Sequence, residues 1–416
     1  MTRNLASALV LPLLLVAWVA VPQQDVPAGD WVLDLVQGGK PLLLELPDFE
    51  TKDPRLAEEA AEISRVLRAD LEFASIYRMV AKGTGADLRV TGTLAREDGK
   101  LVSLVRVHAI AEARVVFTNE YRTTDPARRL AHHIADEIVG KSGVEGIART
   151  QIAFASEREG KRVIYRMDYD GSGPEALAEG FLSLAPRWAP DGRSILYVSF
   201  PTRISSPVLA LLTGGRGREV LMESESMVFP GSWSPDGEKV AFSSTRDGNA
   251  EIYVVNRDGT GLKRLTDHPG IDVSPTWSPT GREIAFTSNR TGSPQIYTID
   301  PDGLNLTRIS REGSYNAEPA WSPSSEFSEI AYASRIEGGV FDVVVHDLLT
   351  HQVRQLTARR GLNESPSWAP NGRHIVFSST RTGEPRLFTV NRDASNLRQI
   401  PFEAKGTTPN WGPVPR

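Results

Sequence analysis

Six tryptophans recur at a nearly constant interval, and this repeat constrains the fold more than any other feature of the chain. The intervals between them are 45, 44, 44, 47 and 43 residues. A period in the forties with several short strand signals per copy is typical of a β-propeller, in which each repeat forms a four-stranded blade around a central axis. The six positions are Trp188, Trp233, Trp277, Trp321, Trp368 and Trp411.

The copy between Gly231 and Thr266 shows how one repeat is built. Pro235-Asp236-Gly237 is predicted to be a turn, because Pro presets φ and Gly adopts backbone conformations that other residues avoid. Lys263 and Arg264 place charges on the outermost strand, where charge discourages pairing with another sheet. The repeat predicts four antiparallel strands, over residues 232–234, 239–243, 250–256 and 262–265.

Two strand signals at the ends of the repeat region lack neighbours. The second-strand signal at Ile152 has no Trp-bearing strand before it, and the strand at Trp411 has no second strand after it. Pairing these two strands closes the ring and removes its open edge. The sequence therefore predicts a six-bladed β-propeller over residues 147–416, closed by the C-terminal strand.

The N-terminus has the pattern of an export signal. A basic residue near the start precedes an apolar run over residues 5–21, which is short for a membrane span. Val26-Pro27-Ala28 fits the small-residue rule for cleavage, and Ala17 and Ala20 are further candidate positions. We expect residues 1–28 to comprise a signal peptide and a possible N-terminal extension. The alternative is an uncleaved anchor.

Residues 29–146 are predicted to form a small α/β domain. An apolar stripe over residues 54–81 predicts one helix, and Asp125-Pro126 predicts the N-cap and first turn of a second helix. Leu130, Ile134 and Ile138 recur every four residues and should face the sheet. We expect two helices on a mixed sheet, within a chain that is mainly β. The predicted strands cover residues 41–46, 87–95, 101–110 and 115–122.

Composition excludes several classes of protein. A net charge of −5 and a pI near 5.9 argue against a nucleic-acid-binding protein. The chain contains no cysteine, so disulfides, thiol nucleophiles and zinc–cysteine sites are excluded. No segment after the export signal predicts a membrane span in the mature protein.

Catalytic motifs are missing from the sequence. There is no Gly-x-Ser-x-Gly motif, and the five residues after Trp411 leave no room for a following hydrolase domain. His132 and His133 are adjacent on a predicted helix, so they point about 100° apart and do not suit a shared metal. We predict no catalytic residues, no metal site and no cofactor. The alternatives are a secreted propeller that binds glycan or peptidoglycan, and a propeller-type polysaccharide lyase.

Segments on either side of the predicted domain boundary resemble the TolB family of the Tol-Pal system. Arg128-Arg-Leu-Ala-His-His-Ile-Ala-Asp-Glu-Ile-Val139 and Gly146-Ile-Ala-Arg-Thr-Gln-Ile-Ala-Phe-Ala-Ser156 together look like the hinge between the two domains of these proteins. Gly85-Ala-Asp-Leu-Arg-Val-Thr-Gly92 is similar to a strand of the same family. With the propeller, the resemblance covers nearly the whole mature chain.

The resemblance implies a periplasmic, non-enzymatic adaptor. TolB-like proteins bind the lipoprotein Pal through the propeller and the inner-membrane protein TolA through an N-terminal segment. They thereby link outer-membrane integrity and invagination during cell division to inner-membrane energy. Other peptidoglycan-associated envelope proteins are possible partners, and we expect a monomer. The N-terminal residues expected to contact TolA are Trp31, Val32, Leu33 and Leu35.

The residues expected to contact Pal come from the loops that precede the Trp-bearing strands, because these loops emerge on one face of a propeller. The apolar side chains before Trp233 could anchor an interface or could pack between blades. Asn316-Ala-Glu-Pro-Ala-Trp321 is most similar to the family's partner-facing phrase. The predicted Pal face contains Met227, Val228, Phe229, Asp272, Asn316, Glu318, Asn363 and Glu364.

Two repeated residue types are predicted to be structural. The tryptophans are expected to lie mostly in the core, where each could bury ~150 to 250 Å². Arginines recur at one place in the loop between the second and third strands, and repetition in four copies indicates a structural contact. These arginines are Arg246, Arg290, Arg335 and Arg381.

Overall fold

The computed structural model describes residues 40–178, 180–213, 217–336, 339–358 and 360–415. The chain is mainly β, with a small N-terminal domain that contains two helices and a larger propeller. The predicted signal peptide at residues 1–28 and the TolA candidates Trp31, Val32, Leu33 and Leu35 lie outside the described residues. Within the described ranges, no helix is both long enough and apolar enough to cross a membrane.

The N-terminal sheet is mixed, as predicted. Its strands are β1 (Leu42–Glu45), β2 (Glu50–Thr51), β3 (Tyr77–Met79), β4 (Leu88–Glu97), β5 (Lys100–Ala109) and β6 (Arg114–Thr123). The order is β3-β1-β4-β5-β6, and β2 also pairs with β4. β1 is parallel to both of its neighbours, whereas β4, β5 and β6 are antiparallel.

Two helices cover this sheet. α1 (Ala57–Phe73) follows a 3-10 turn, Pro54–Leu56, and α2 is Ala127–Gly140. The prediction of a helix to residue 81 was wrong at its C-terminal end. The chain leaves α1 at Ser75, which has φ 63°, and Tyr77 then pairs with Leu42 of β1. Sheet pairing therefore outweighed helix propensity after Phe73.

The start of α2 also differs from its prediction. Asp125 does not cap this helix, because the helix has no side-chain cap hydrogen bond. The backbone N–H of Asp125 donates to Thr123 Oγ1 at 2.9 Å. The apolar stripe was predicted correctly. Leu130, Ile134 and Ile138 are all buried in the core of the domain.

The propeller begins with an extended sheet of eight strands. Seven of them are β7 (Gln151–Arg158), β8 (Lys161–Asp168), β9 (Glu175–Ala178), β10 (Leu182–Trp188), β11 (Ser194–Phe200), β12 (Val208–Thr213) and β13 (Gly217–Glu223). β10 to β13 form one antiparallel group, and β7 to β9 belong to another. One parallel residue pair, Leu182 with Arg162, joins the two groups.

Four separate antiparallel sheets of four strands follow. The first contains β14 (Val228–Trp233), β15 (Lys239–Ser244), β16 (Glu251–Asn256) and β17 (Lys263–Arg264). The second contains β18 (Asp272–Trp277), β19 (Ile284–Ser288), β20 (Gln295–Ile299) and β21 (Thr307–Arg308). The third contains β22 (Tyr315–Trp321), β23 (Glu329–Arg335), β24 (Asp342–Asp347) and β25 (Val353–Gln355). The fourth contains β26 (Asn363–Trp368), β27 (His374–Ser379), β28 (Arg386–Asn391) and β29 (Arg398–Gln399).

The last strand of the chain returns to the first strand of the repeat region. β30 (Thr407–Trp411) pairs antiparallel with β7, and Trp411 lies opposite Ile152. This is the pairing expected between the two strands that lacked neighbours in the sequence. It completes the eight-stranded sheet and gives β7 a partner on both sides.

The tryptophans lie mostly in the core, as predicted. Trp233, Trp277, Trp368 and Trp411 are buried, and the other two of the repeat are half-buried. Some indole groups also hydrogen-bond across the fold. Trp368 Nε1 donates to the carbonyl of Ala320 in the preceding sheet at 3.0 Å, and Trp411 Nε1 donates to Thr150 Oγ1 at 2.8 Å. The Trp368 bond thus joins its sheet to the preceding one.

Candidate partner-binding site

The first strands of the propeller sheets share an unusual backbone conformation. In five of them, the residue before a proline has a positive φ, between 49° and 56°, and the register with the second strand shifts at the same place. Left-handed backbone at a non-glycine residue costs on the order of 1–3 kcal/mol and is enriched at functional sites. The five residues are Ala185, Ser274, Glu318, Ser365 and Thr408.

These bulges converge on one cavity, which we call the axial cavity. Its volume is about 270 Å³, and all five bulged residues line it. Phe229 and Arg187 line it as well. The bulges were not predicted from the sequence, because a residue before proline normally adopts extended backbone.

Glu318 is held by hydrogen bonds to two neighbouring sheets. Its Oε2 accepts hydrogen bonds from the backbone N–H of Ser365 at 2.6 Å and from Ser365 Oγ at 3.2 Å. Its own backbone N–H donates to Thr287 Oγ1 at 3.1 Å. Glu318 therefore connects three successive sheets and presents a carboxylate to the axial cavity. Burial, reinforced by the charge of Glu318, raises the pKa of Glu364 above its ordinary value.

Arg187 supplies the opposite charge. Its Nε donates to the carbonyl of Gly231 and its Nη1 to the carbonyl of Pro186, both at 2.8 Å. Burial lowers the pKa of Arg187, and the charge of Glu318 opposes that shift. The guanidinium is oriented by backbone carbonyls, so the cavity holds fixed groups of both signs before any partner binds.

The three apolar residues before Trp233, Met227 to Phe229, differ in their exposure to solvent. Phe229 is 40% exposed and lines the axial cavity, and Met227 is 42% exposed just before β14. Val228, in contrast, is completely buried in the core between two sheets. Alternation along β14 thus leaves Met227 and Phe229 accessible to a partner.

Three other candidates are buried inside the propeller. Arg290 Nη2 donates to Asp272 Oδ2 at 2.6 Å, and Asp272 has no exposed surface. The side-chain amides of Asn316 and Asn363 donate to the third strand of the preceding sheet. Asn316 Nδ2 donates to Gln295 Oε1 at 2.8 Å. Asn363 Nδ2 likewise donates to Asp342 Oδ1 at 3.0 Å.

The prediction that the candidate residues lie in loops was wrong for all but Met227. The first strands of the four separate sheets begin five or six residues before their tryptophans, at Val228, Asp272, Tyr315 and Asn363. Pairing with the second strand resumes on the far side of the bulge, for example between Asp272 and Ser288. This continuation was not predicted, because Pro normally interrupts a strand.

Comparison with known proteins identifies the family. The family profile described as PD40, TolB beta propeller domain, matches residues 141–415. The chain belongs to the TolB propeller family. This confirms the family expected from the segments around residues 128–139 and 146–156.

Two relatives and one solved structure support the assignment of this TolB family member. The chain is 34% identical over 242 residues to the Tol-Pal system protein TolB of Anaeromyxobacter dehalogenans (strain 2CP-C), with 52% of this chain and 55% of that protein covered. It is 32% identical over 252 residues to the Tol-Pal system protein TolB of Desulfosudis oleivorans (strain DSM 6200 / JCM 39069 / Hxd3), with 60% and 57% covered. The chain thus spans little more than half the length of these curated relatives. The crystal structure of TolB from Acinetobacter baumannii superposes with a TM-score of 0.80 at 25% identity, covering 93% of this chain and 98% of that chain.

The repeated arginines of this TolB family member have structural contacts, as predicted. Arg381 Nη2 donates to Asn363 Oδ1 at 2.8 Å, and its guanidinium lies 4.8 Å from the centre of the Phe388 ring. Arg290 makes the corresponding contacts with Asp272 and with Tyr297. Among the described residues, no group of three or more His, Asp or Glu side chains is placed to hold a metal ion.

Proposed function

We propose that this chain is a periplasmic, non-enzymatic adaptor of the Tol-Pal system that binds the lipoprotein Pal at the axial cavity. The observation that carries the proposal is the convergence of strained first-strand residues on that cavity, where Phe229, Glu318 and Arg187 are all available. A partner that inserts there meets an aromatic side chain and preoriented charges, the combination found at interface hot spots. Met227 and Glu364 would extend the interface at the rim.

The ring around this cavity is proposed to have six blades. The two antiparallel groups of the eight-stranded sheet would each count as one blade, since a single residue pair joins them within the described part of the chain. Added to the four separate sheets, they match the number of tryptophans in the repeat. Residues 147–416 would form this propeller and residues 29–146 the N-terminal domain.

TolA is the proposed second partner, bound through the N-terminal region around Trp31, Val32, Leu33 and Leu35. A chain that holds Pal and TolA would couple outer-membrane integrity and invagination during division to the inner membrane. The same proposal includes export by a signal peptide within residues 1–28, which also comprise a possible N-terminal extension, and action as a monomer. Other peptidoglycan-associated envelope proteins could join this assembly.

The test is a titration against the Pal domain of the same organism. We expect saturable binding, and we expect the double variant Phe229→Ala, Glu318→Gln to bind roughly 30-fold more weakly, since hot-spot truncations cost about 2 kcal/mol or more. Gln at position 318 retains an acceptor for Ser365, so the fold should be maintained.

A matched control changes the same kinds of residue outside the axial cavity. Leu304→Ala with Glu238→Gln removes an exposed apolar side chain and an exposed carboxylate. This control should bind Pal like the parent protein. Absence of saturable Pal binding by demonstrably folded protein would contradict the proposal and would direct attention to glycan ligands.

A further inference from the structure

A second cavity lies between two neighbouring propeller sheets. Its volume is about 500 Å³, and it is situated between the β18–β21 sheet and the β22–β25 sheet, on the side of the turns that follow the tryptophans. We call it the interblade cavity. Its lining includes Glu283, Arg308, Arg311, Trp321, Leu348 and His351.

Two corresponding clefts elsewhere in the ring are crossed by an arginine. Between the β22–β25 and β26–β29 sheets, Arg392 Nη2 lies 2.5 Å from Glu329 Oε1, and its guanidinium lies 3.7 Å from the centre of the Phe327 ring. At the cleft before β14, Arg257 Nη2 lies 3.1 Å from Asp191 Oδ2 and the guanidinium lies 5.2 Å from the Trp233 ring. Each cleft therefore contains an arginine, an acid and an aromatic ring.

Leu348 occupies the position of these arginines. The backbone N–H of Leu348 donates at 2.8 Å to the carbonyl of the residue just before β23. Arg257 and Arg392 donate in the same way, at 2.8 and 3.0 Å, to the residues just before β15 and β27. The substitution of leucine for arginine leaves the space between the two sheets open.

Glu283 occupies the position of the acid. Its carbonyl accepts from the residue after Trp277 at 2.8 Å, just as the carbonyl of Glu329 accepts from the residue after Trp321 at 2.9 Å. No hydrogen bond or ion pair involves the Glu283 carboxylate within the described part of the chain. Trp321, half-buried, supplies the aromatic ring. Two of the three components of the crossing contact are thus present without the cation.

The neighbouring cleft also lacks the crossing arginine, but it does not combine this with an unpaired acid at the Glu283 position. There, between the β14–β17 and β18–β21 sheets, Pro301 follows β20 at the arginine position. The position equivalent to Glu283 is Lys239, whose Nζ donates to Asn256 Oδ1 at 2.9 Å. That cleft therefore has a base, and no acid, at the position of Glu283.

Cationic side chains without carboxylate partners also line the interblade cavity. Arg308 Nε donates to the carbonyl of Ser310 at 2.7 Å, but neither Arg308 nor Arg311 forms an ion pair among the residues that the structure describes. His351 packs edge-on against His346, with ring centroids 6.1 Å apart. His346 is 3% exposed, and both of its ring nitrogens lack a hydrogen-bond partner in the described structure.

We propose that the interblade cavity binds a ligand with a cationic side chain and a free carboxylate, namely a basic amino acid or the C-terminal arginine or lysine of a short peptide. The cation would lie against Glu283 and Trp321, replacing the absent crossing arginine through an ion pair and a cation–π contact. The carboxylate would lie against Arg308 and Arg311, whose planar guanidinium groups suit carboxylates.

The test is calorimetric titration of the full chain with L-arginine, to about 10 mM because a small charged ligand of this kind can bind in the millimolar range. We expect saturable binding by L-arginine, at least roughly fivefold weaker binding by agmatine, which lacks the carboxylate, and none by L-norleucine, which lacks the cation. The peptide Gly-Gly-Arg is titrated in the same way. Tighter binding of L-arginine would indicate a free amino acid as the ligand, and tighter binding of Gly-Gly-Arg would indicate a peptide C-terminus. No saturation by either arginine ligand, or agmatine binding as tightly as L-arginine, would overturn the proposal.

Two variants locate the site. Leu348→Arg should fill the cleft and abolish binding, whereas Leu349→Arg places the same charge on a side chain that is 79% exposed and should leave binding unchanged. Glu283→Gln preserves side-chain size and should weaken L-arginine binding at least roughly tenfold, because an ion pair is lost. Persistent binding by both Leu348→Arg and Glu283→Gln would place the ligand elsewhere and refute the assignment.

Discussion

At the scale of single residues, buried polar contacts separate structural positions from accessible ones. Asp272, Asn316 and Asn363 lie at the first or second position of three successive first strands and are completely buried. Their partners all lie in the propeller itself, as the pair of Asp272 with Arg290 illustrates. Phe229 and Glu318 instead reach the axial cavity. Positions in the same part of the repeat therefore have different roles, depending on whether the side chain points between sheets or toward the axis.

Asp272→Ala should destabilise the propeller without altering the partner site. The substitution leaves Arg290 partly buried and unpaired, and breaking one side of a buried pair costs about 3–5 kcal/mol. Chemical unfolding should show this loss. Asp267→Ala, which removes a carboxylate that is 88% exposed, is the control and should change stability little. Equal stability of the two variants would show that the Asp272 pair contributes nothing.

At the scale of secondary-structure elements, β30 determines whether the sheet begun at β7 is complete. The strand contributes the backbone pairing with β7 and the buried Trp411, whose indole donates to Thr150. β30 also contacts the neighbouring first strand, because Ser367 Oγ accepts from the backbone N–H of Trp411 at 3.0 Å. β30 therefore holds together strands that are distant in sequence.

Deletion of residues 408–416 should abolish cooperative unfolding of the propeller. Loss of the buried tryptophan alone costs about 3–5 kcal/mol. Loss of the strand pairing adds to this cost, so the total is comparable with the free energy of unfolding of a whole domain. Differential scanning calorimetry tests this prediction. Deletion of residues 413–416 retains β30 and should preserve the transition. An unchanged melting temperature after the longer deletion would falsify the closing role of β30.

At the scale of the whole molecule, the two domains share one apolar core. The cluster that contains Ile63 and Leu67 of α1 continues to Trp411 of the propeller. At the boundary, His374 stacks on Phe73 with ring centroids 4.4 Å apart, and its Nε2–H donates to the Phe73 carbonyl at 2.8 Å. Nearby, Tyr169 donates to Asp70 Oδ1 at 2.5 Å. The domains are thus held by buried polar bonds as well as apolar contacts.

The stability of this boundary should fall in mild acid. Burial lowers the pKa of His374 from its ordinary value of 6.5 to about 4. The unfolded chain therefore takes up a proton before the folded protein does, so the contribution of neutral His374 is complete above pH 6.5 and is lost as the pH falls toward 4. The loss amounts to at most about 3 kcal/mol.

Comparison with His374→Gln isolates this contribution. Gln can donate to the Phe73 carbonyl but does not titrate, so the variant should lose less stability between pH 7 and pH 4 than the parent protein. Unfolding in urea at several pH values measures the difference, and the contributions of all other groups cancel. Parallel pH profiles would contradict the prediction.

The sequence by itself determined the repeat architecture. The spacing of tryptophans, the turn residues and the alternation in each copy predicted antiparallel sheets and the pairing of β30 with β7, because these signals depend on local backbone preference and on one buried face. The same reasoning predicted the two helices of the N-terminal domain and the structural role of the repeated arginines. The resemblance around residues 128–156 indicated the family.

Only the tertiary structure decided which side chains are accessible and which charges are paired. Glu318 meets Ser365 across 47 residues, and His374 meets Phe73 across 301. The open interblade cavity likewise depends on Leu348 and Glu283, which belong to different sheets. No local pattern encodes such contacts, since each depends on how separate sheets pack and on where a bulge redirects a strand. That is the physical reason why the sheets could be predicted, whereas the axial and interblade cavities could not.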